Sequence, residues 1–287
     1  MKVLVTGATG FVASHVVPAL AGAGHDVLAL GHDAQRIPSL DRVEALVVDM
    51  RDLNVSALPE ADAIVHLAQA NVPFPEGADH LAAVNAASTV VLLDYARQVG
   101  ARRFVLASSA SVYGGGRDLD EDDPLRASDF YAATKIAAER FVAAYAHLLE
   151  GTTTMRLVAP YGPGQVGRLI PRLADRIRTG EAVVLNEGSS PWLNPIYVAD
   201  VVRVVISALG RAGHRTINVA GDEVVGVREL AEMVGEALGV EPSFAESGAT
   251  ATDVVVRNER MKRELGVDGL VPLSEGLRRT LAVEAVA

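Results

Sequence analysis

The first 160 residues alternate short β-branched runs with longer helical patterns, and this alternation constrains the fold more than any other feature of the chain. Apolar runs bounded by turn residues predict strands at Lys2–Val5, Asp26–Leu30, Val43–Val48, Ala63–His66, Phe104–Ala107 and Thr153–Leu157. The segments Phe11–Ala23, Ala78–Gly100 and Tyr131–Leu149 have the length and apolar spacing of crossover helices. Strands that are apolar along their whole length suit a parallel sheet covered on both faces, and right-handed crossovers then make it a doubly wound α/β sheet of Rossmann type. Pro18 inside the first helix removes one backbone hydrogen bond.

Beyond about Gly162 the pattern loosens into loops, with helices predicted at Leu169–Thr179, Val198–Leu209 and Val227–Leu238. The expected division is a dinucleotide-binding domain over residues 1–160 and a smaller, mainly substrate-binding lobe over 161–287, some of whose segments return to the first domain. A chain of 287 residues with 49% hydrophobic content can bury such a core. The net charge of −10 argues against nucleic acid or an anionic membrane surface as partner. No cysteine is present, which excludes disulfides, thiolate metal sites and cysteine nucleophiles and makes a cytoplasmic location the expectation. No targeting or membrane-spanning segment is expected, and the scattered histidines offer no metal-ligand spacing. The acidic run Asp118, Asp120, Glu121, Asp122, Asp123 is expected to be a solvated loop.

Three motifs carry chemistry. The first strand leads into Gly7-Ala8-Thr9-Gly10-Phe11-Val12-Ala13, a glycine-spaced turn opening a helix, where backbone N–H groups could meet a pyrophosphate. Tyr131 and Lys135 lie one helical turn apart, and a cation beside a phenol lowers its pKa from about 10 towards the range useful for proton exchange with an alcohol or carbonyl. The run Phe104 to Gly114 is a buried strand ending in hydroxyls, of which Ser109 could donate to a substrate oxygen, while Ser108 and Ser111 are read as caps.

Taken together, in this order and spacing, these motifs resemble the extended branch of the short-chain dehydrogenase/reductase family, the NAD(P)-dependent epimerase/dehydratase-like enzymes. Further matching stretches are Val48 to Asp52, His66-Leu67-Ala68, Asn85, Tyr161 to Gln165, Tyr197 to Val201 and Asn218-Val219-Ala220. The resemblance implies Tyr131 as acid/base, Lys135 as its pKa modulator and ribose ligand, and Ser109 as the group polarising the substrate carbonyl. It places Gly7, Gly10, Phe11 and Val12 at the pyrophosphate, Asp49 and Met50 at the adenine, and Leu67 and Ala68 on the ribose side. Asn85 either shapes the proton path or only ties helix to sheet, and His66 is expected to pack beneath the cofactor.

Four departures from the family pattern bear on function. Ala13 replaces the third glycine. Gly31 stands where NAD-preferring members carry an acid, and His32 and Arg36 follow it, so NADP(H) is expected over NAD(H), although Asp33 could still turn towards the ribose hydroxyls. Ala110 and Ser111 occupy the Asp-Glu positions of dehydratases. Ala159 and Leu193 replace an Asn and an Arg that commonly hold the diphosphate of a nucleotide sugar, with Arg156, Arg168 and Arg172 as candidate substitutes. The expected activity is hydride transfer at a carbinol or carbonyl carbon, by a nucleotide-sugar 4-epimerase or ketoreductase. The alternatives are an NADPH-dependent ketoreductase of a non-nucleotide carbonyl compound and a non-catalytic cofactor-binding regulator. A homodimer is expected through Ala82–Arg97 and Tyr131–Leu149.

Overall fold

The computed structural model describes residues 1–187 and 190–282. In chain order its first half contains β1 (Lys2–Thr6), α1 (Phe11–Gly22), β2 (Asp26–Gly31), β3 (Val43–Val47), β4 (Ala63–His66), α2 (Ala78–Ala82), α3 (Ser88–Gln98) and β5 (Arg103–Ser109). There follow β6 (Gly116–Leu119), α4 (Phe130–Tyr145), β7 (Gly151–Leu157), α5 (Leu169–Arg178), β8 (Val183–Leu185), α6 (Val198–Leu209) and β9 (Gly213–Val219). The last elements are α7 (Val227–Leu238), β10 (Phe244–Glu246), β11 (Val254–Val256), α8 (Glu259–Leu265) and α9 (Leu273–Ala282).

Seven parallel strands form the main sheet in the order β3-β2-β1-β4-β5-β7-β9, which is the doubly wound Rossmann arrangement that the sequence predicts. Successive side chains point to opposite faces, so each strand feeds two cores. Val3, Val5, Val27, Ala29, Val65 and Val105 pack with Val16, Val17 and Leu20 of α1 and Val201, Val204 and Val205 of α6. Leu4, Leu28, Ile64, Phe104 and Leu106 pack on the other face with Leu92, Leu93 and Ala96 of α3 and Ala138 and Val142 of α4. A separate core of Leu173, Ile177, Leu230, Val234, Leu277 and Leu281 joins α5, α7 and α9.

Some elements differ from expectation. The segment predicted as one helix, Ala78–Gly100, is broken by a five-residue π-turn at Ala83–Ala87 that carries Asn85. The Tyr131 helix ends at Tyr145 rather than Leu149 and starts at Phe130, where Asp129 caps it by accepting from the Ala132 N–H at 2.7 Å. The seventh strand, β9, comes from residues 213–219 and was not foreseen as a strand. The acidic run is not simply solvated: the Glu121 side chain is 1% exposed and bonds Asn218 N and Arg260, while Asp118 pairs with Arg257 and Asp122 with Arg260. Arg257 and Arg260, at the opening of α8, staple this loop; burial still pushes the Glu121 carboxyl up, opposed in part by the Asn218 hydrogen bond and the Arg260 charge.

Candidate active site

The strand order reverses between β1 and β4, and in open α/β sheets ligands bind at the carboxyl ends of strands beside such a switch. A cavity of about 1140 Å³ opens there. Its floor is the turn after β1. Gly7 has φ +70°, and a Cβ added to it would lie 2.7 Å from the Ala68 backbone, so only glycine lets the two loops touch. Gly10 begins α1 without a side-chain cap and no acid lies in the first turn, which leaves backbone N–H groups facing the cavity. This cradle, the bare helix terminus and the volume fit a dinucleotide.

Gly7, Gly10, Phe11 and Val12 line the cavity at this turn. Leu67 and Ala68 line it from the end of β4, and His32, Arg36, Asp49 and Met50 from the ends of β2 and β3. Asp49 is engaged by Arg51, whose hydrogen bonds hold its carboxyl down at about 2. Gly31 is constrained sterically as well as chemically, since a Cβ there would meet the Thr9 methyl at 2.7 Å. Asp33 accepts from Gln35 N at 2.9 Å and does not line the cavity, whereas His32 bonds the Thr9 hydroxyl and Arg36 donates to the Thr9 carbonyl.

Ser109 and Tyr131 also line the cavity, on the side away from the adenosine end. Ser109, read as the catalytic hydroxyl, is itself a cap: its Oγ accepts from Ser111 N at 3.2 Å, which leaves its proton free to donate. Ser108, read as a cap, instead donates to Glu139 at 2.5 Å. The Tyr131 phenol donates to Gln69 Oε1 at 3.1 Å. Burial pushes its pKa up, opposed by the Ser109 hydrogen bond and the charge of Arg168, so the resting group is the neutral phenol rather than the lowered one expected. Lys135 is 1% exposed and is not on the cavity wall; its Nζ donates to the Ala107 carbonyl at 2.6 Å. Burial pulls its ammonium down to about 8.

His66 is held beneath this floor. The Ser88 hydroxyl gives its proton to the Val84 carbonyl, so it must accept from His66 Nε2 at 3.3 Å. Nδ1 is then the bare acceptor of the Thr6 hydroxyl at 2.7 Å, and Thr6 in turn accepts from Ala68 N. Burial, reinforced by the Lys135 charge, lowers the imidazole to about 3. Asn85 holds the Ala70 backbone through both N–H and C=O and donates to Thr134. Of the candidate phosphate cations, Arg168 lines the cavity, Arg172 does not, and Arg156 is committed to a buried ion pair with Glu139. Ala159 and Leu193 both form cavity wall, and Ala159 has φ +36°, a conformation an Asn tolerates better than an Ala.

Two residues were missed from sequence: Gln69, the phenol's partner, and Glu139. The second had a signal, because Tyr131, Lys135 and Glu139 recur at the four-residue spacing of one helix face. Among the described residues no cluster could hold a metal ion, and no helix is long and apolar enough to cross a membrane.

The family model for the NAD dependent epimerase/dehydratase family matches residues 3–220. A UDP-glucose 4-epimerase of Mycolicibacterium smegmatis is 30% identical, with 98% of this chain and 97% of that protein covered. A dTDP-4-dehydro-6-deoxy-D-allose reductase of a Streptomyces species is 31% identical over 83% of this chain and 81% of its own length. The solved structure of MoeE5 in complex with UDP-glucuronic acid and NAD superimposes with a TM-score of 0.90 at 29% identity, covering 100% of this chain and 99% of the other. The chain belongs to the NAD dependent epimerase/dehydratase family, within the extended short-chain dehydrogenases/reductases, and is an enzyme of the kind that uses an NAD(P) cofactor.

Proposed function

We propose that this enzyme moves a hydride at a carbinol or carbonyl carbon of a nucleotide sugar, as a 4-epimerase or a ketoreductase. The observation that carries the reading is that Tyr131 and Ser109 share one cavity with the dinucleotide cradle around Gly7 and Gly10. A bound nicotinamide would supply hydride exchange; the proton is the task of this chain. Ser109, its Oγ fixed by Ser111 N, donates to the substrate oxygen, and Tyr131 gives or takes the proton at that oxygen. Lys135, one turn along α4, supplies the buried positive charge that favours the phenolate when it forms. UDP-glucose and UDP-glucuronic acid are the first substrates to test. The expected result is the C4 epimer in the presence of NAD(P)⁺, or reduction of the 4-keto sugar by NAD(P)H, followed by NMR. Failure of every nucleotide sugar would overturn the reading.

A second reading, reduction of a carbonyl compound that carries no diphosphate, is favoured by Ala159 and Leu193 on the cavity wall, where neither can bond a phosphate oxygen. Turnover of such a ketone with NADPH, without turnover of nucleotide sugars, would establish it. Dehydration at C5 and C6 is disfavoured. It needs an acid and a base beside the substrate, whereas Ala110 and Ser111 offer neither and do not line the cavity. Incubation with dTDP-glucose is expected to give no 4-keto-6-deoxy product.

NADP(H) is the proposed preference over NAD(H). Among the described residues the one carboxylate lining this end, Asp49, is bound by Arg51, Asp33 accepts from Gln35 N away from the cavity, and His32 and Arg36 bring donors to the rim. Calorimetric titration is expected to show tighter NADPH than NADH binding, with Arg36→Ala weakening NADPH alone by about tenfold. Tighter NADH binding would reverse the assignment. A cytoplasmic homodimer completes the proposal.

A further inference from the structure

Glu139 lies one helical turn beyond Lys135 on the buried face of α4 and is 7% exposed. Its Oε1 accepts from the Ser108 hydroxyl at 2.5 Å, and its Oε2 accepts from Arg156 Nη2 at 2.8 Å. Arg156 is itself held from three sides, by Tyr113 Oη, the Glu121 carbonyl and the Tyr113 ring. Two successive residues at the end of β5 are therefore fixed from below, next to a third that faces the cavity. Lys135 takes the Ala107 carbonyl, Glu139 takes the Ser108 hydroxyl, and Ser109 faces the cavity. A buried ion pair is a poor device for stability, because hydrophobic residues of the same volume do as well. Its place here, tied both to the strand that carries Ser109 and to the helix that carries Tyr131, gives it another use.

We propose that Glu139 is a positioning residue of the reaction: it locks the Ser109 strand end to the Tyr131 helix and sets a buried negative charge one turn from the Lys135 ammonium. This role rests on Tyr131 as the proton carrier. Glu139 makes no ion pair with Lys135. Its oxygens are spent on Ser108 and Arg156, and its charge, partly offset by the Arg156 cation, reaches the ammonium one helical turn away through space only. The groups facing Glu139 are Lys135 on its own helix, Ser108 on β5 and Arg156 on β7. Beyond these, Tyr113 and Glu121 face Arg156, and neutral His66 lies within electrostatic reach of Lys135. Burial lowers Lys135 and Glu139 opposes that fall.

The chain has three lysines, Lys2, Lys135 and Lys262, so protein labelled with [13Cε]lysine gives a spectrum that can be titrated residue by residue, with Lys135→Met as the assignment control. Lys135 is expected to titrate at about 8. In Glu139→Gln its midpoint is expected to fall by a further pH unit or more, a tenfold change in the proton equilibrium. The double variant Glu139→Gln/Arg156→Met leaves no orphan charge in the interior, and a smaller shift in the same downward direction is expected in it, because a neighbouring cation leaves with the carboxylate. An unchanged Lys135 midpoint in either folded variant overturns the proposal. Loss of folding in both, read by far-ultraviolet circular dichroism, also overturns it, because the pair would then be holding the fold rather than the ammonium. No substrate enters this measurement, so its outcome is separate from that of the turnover assays.

Discussion

At the scale of single residues, the site separates groups that act from groups that hold. Tyr131 is the proton carrier of the proposed reaction, and Tyr131→Phe is expected to lower turnover by about 10²- to 10⁴-fold while cofactor affinity changes less than about twofold. Near-normal turnover in that variant would remove Tyr131 from the mechanism. His66 only holds, and its cost is visible in the pH dependence of stability. The folded imidazole titrates at about 3 against an ordinary 6.5, so between these values the unfolded chain binds a proton that the folded chain does not. Stability contributed by the neutral ring is complete above pH 6.5 and is lost as pH falls from 6.5 towards 3, about 2 kcal/mol of it by pH 5. Urea midpoints at pH 7 and pH 5 are expected to differ less in His66→Asn than in the unaltered protein. An equal drop in both would show that other groups carry the acid sensitivity.

At the scale of elements, the turn between β1 and α1 is the tightest joint. Gly7→Ala combines a positive φ with a Cβ 2.7 Å from the Ala68 backbone, and is expected to cost about 2 kcal/mol or more. The check is a lower urea midpoint together with weakened dinucleotide binding; an unchanged midpoint would mean that the β4 loop yields easily. The elements also show where sequence reasoning reached its limit. Strands β1, β2, β4 and β5 were legible because they are buried on both faces and read as unbroken apolar runs. β9 was not, because its first half is Gly213-His214-Arg215 and its partner β7 lies far back in the chain, so neither period nor neighbourhood marks it. The motif residues Tyr131, Ser109 and Gly7 were legible by spacing. The Gln69 contact and the saturation of Arg156 were not, since they depend on loops meeting across the sheet.

At the scale of the whole molecule, α3 and α4 pack side by side, and Ala87 of the π-turn before α3 and Ala133, Ala143 and Ala144 of α4 are exposed. Small residues let a second copy approach closely, and the proposed homodimer uses this surface. Light scattering at micromolar concentration is expected to give twice the chain mass, and Ala133→Arg to halve it. A monomer in the unaltered protein would refute the assembly.

The late arrival of β9 also bears on how the chain is made. β7 ends at Leu157, and the strand that covers its outer side begins at Gly213, roughly 55 residues later. At synthesis rates of about 5–20 residues per second, a nascent chain waits roughly 3–11 seconds with the Gly151–Leu157 backbone unpaired on one side. That segment, Gly-Thr-Thr-Thr-Met-Arg-Leu, is rich in β-branched residues and is buried almost throughout in the finished protein. An open edge of this kind is a template for pairing with another chain. The proposed proton-transfer groups and their partners, Tyr131 with Gln69, Ser109 with Ser111 and Lys135 with Ala107, are all made before that interval begins, and slower translation through residues 158–212 lengthens the exposure of the edge.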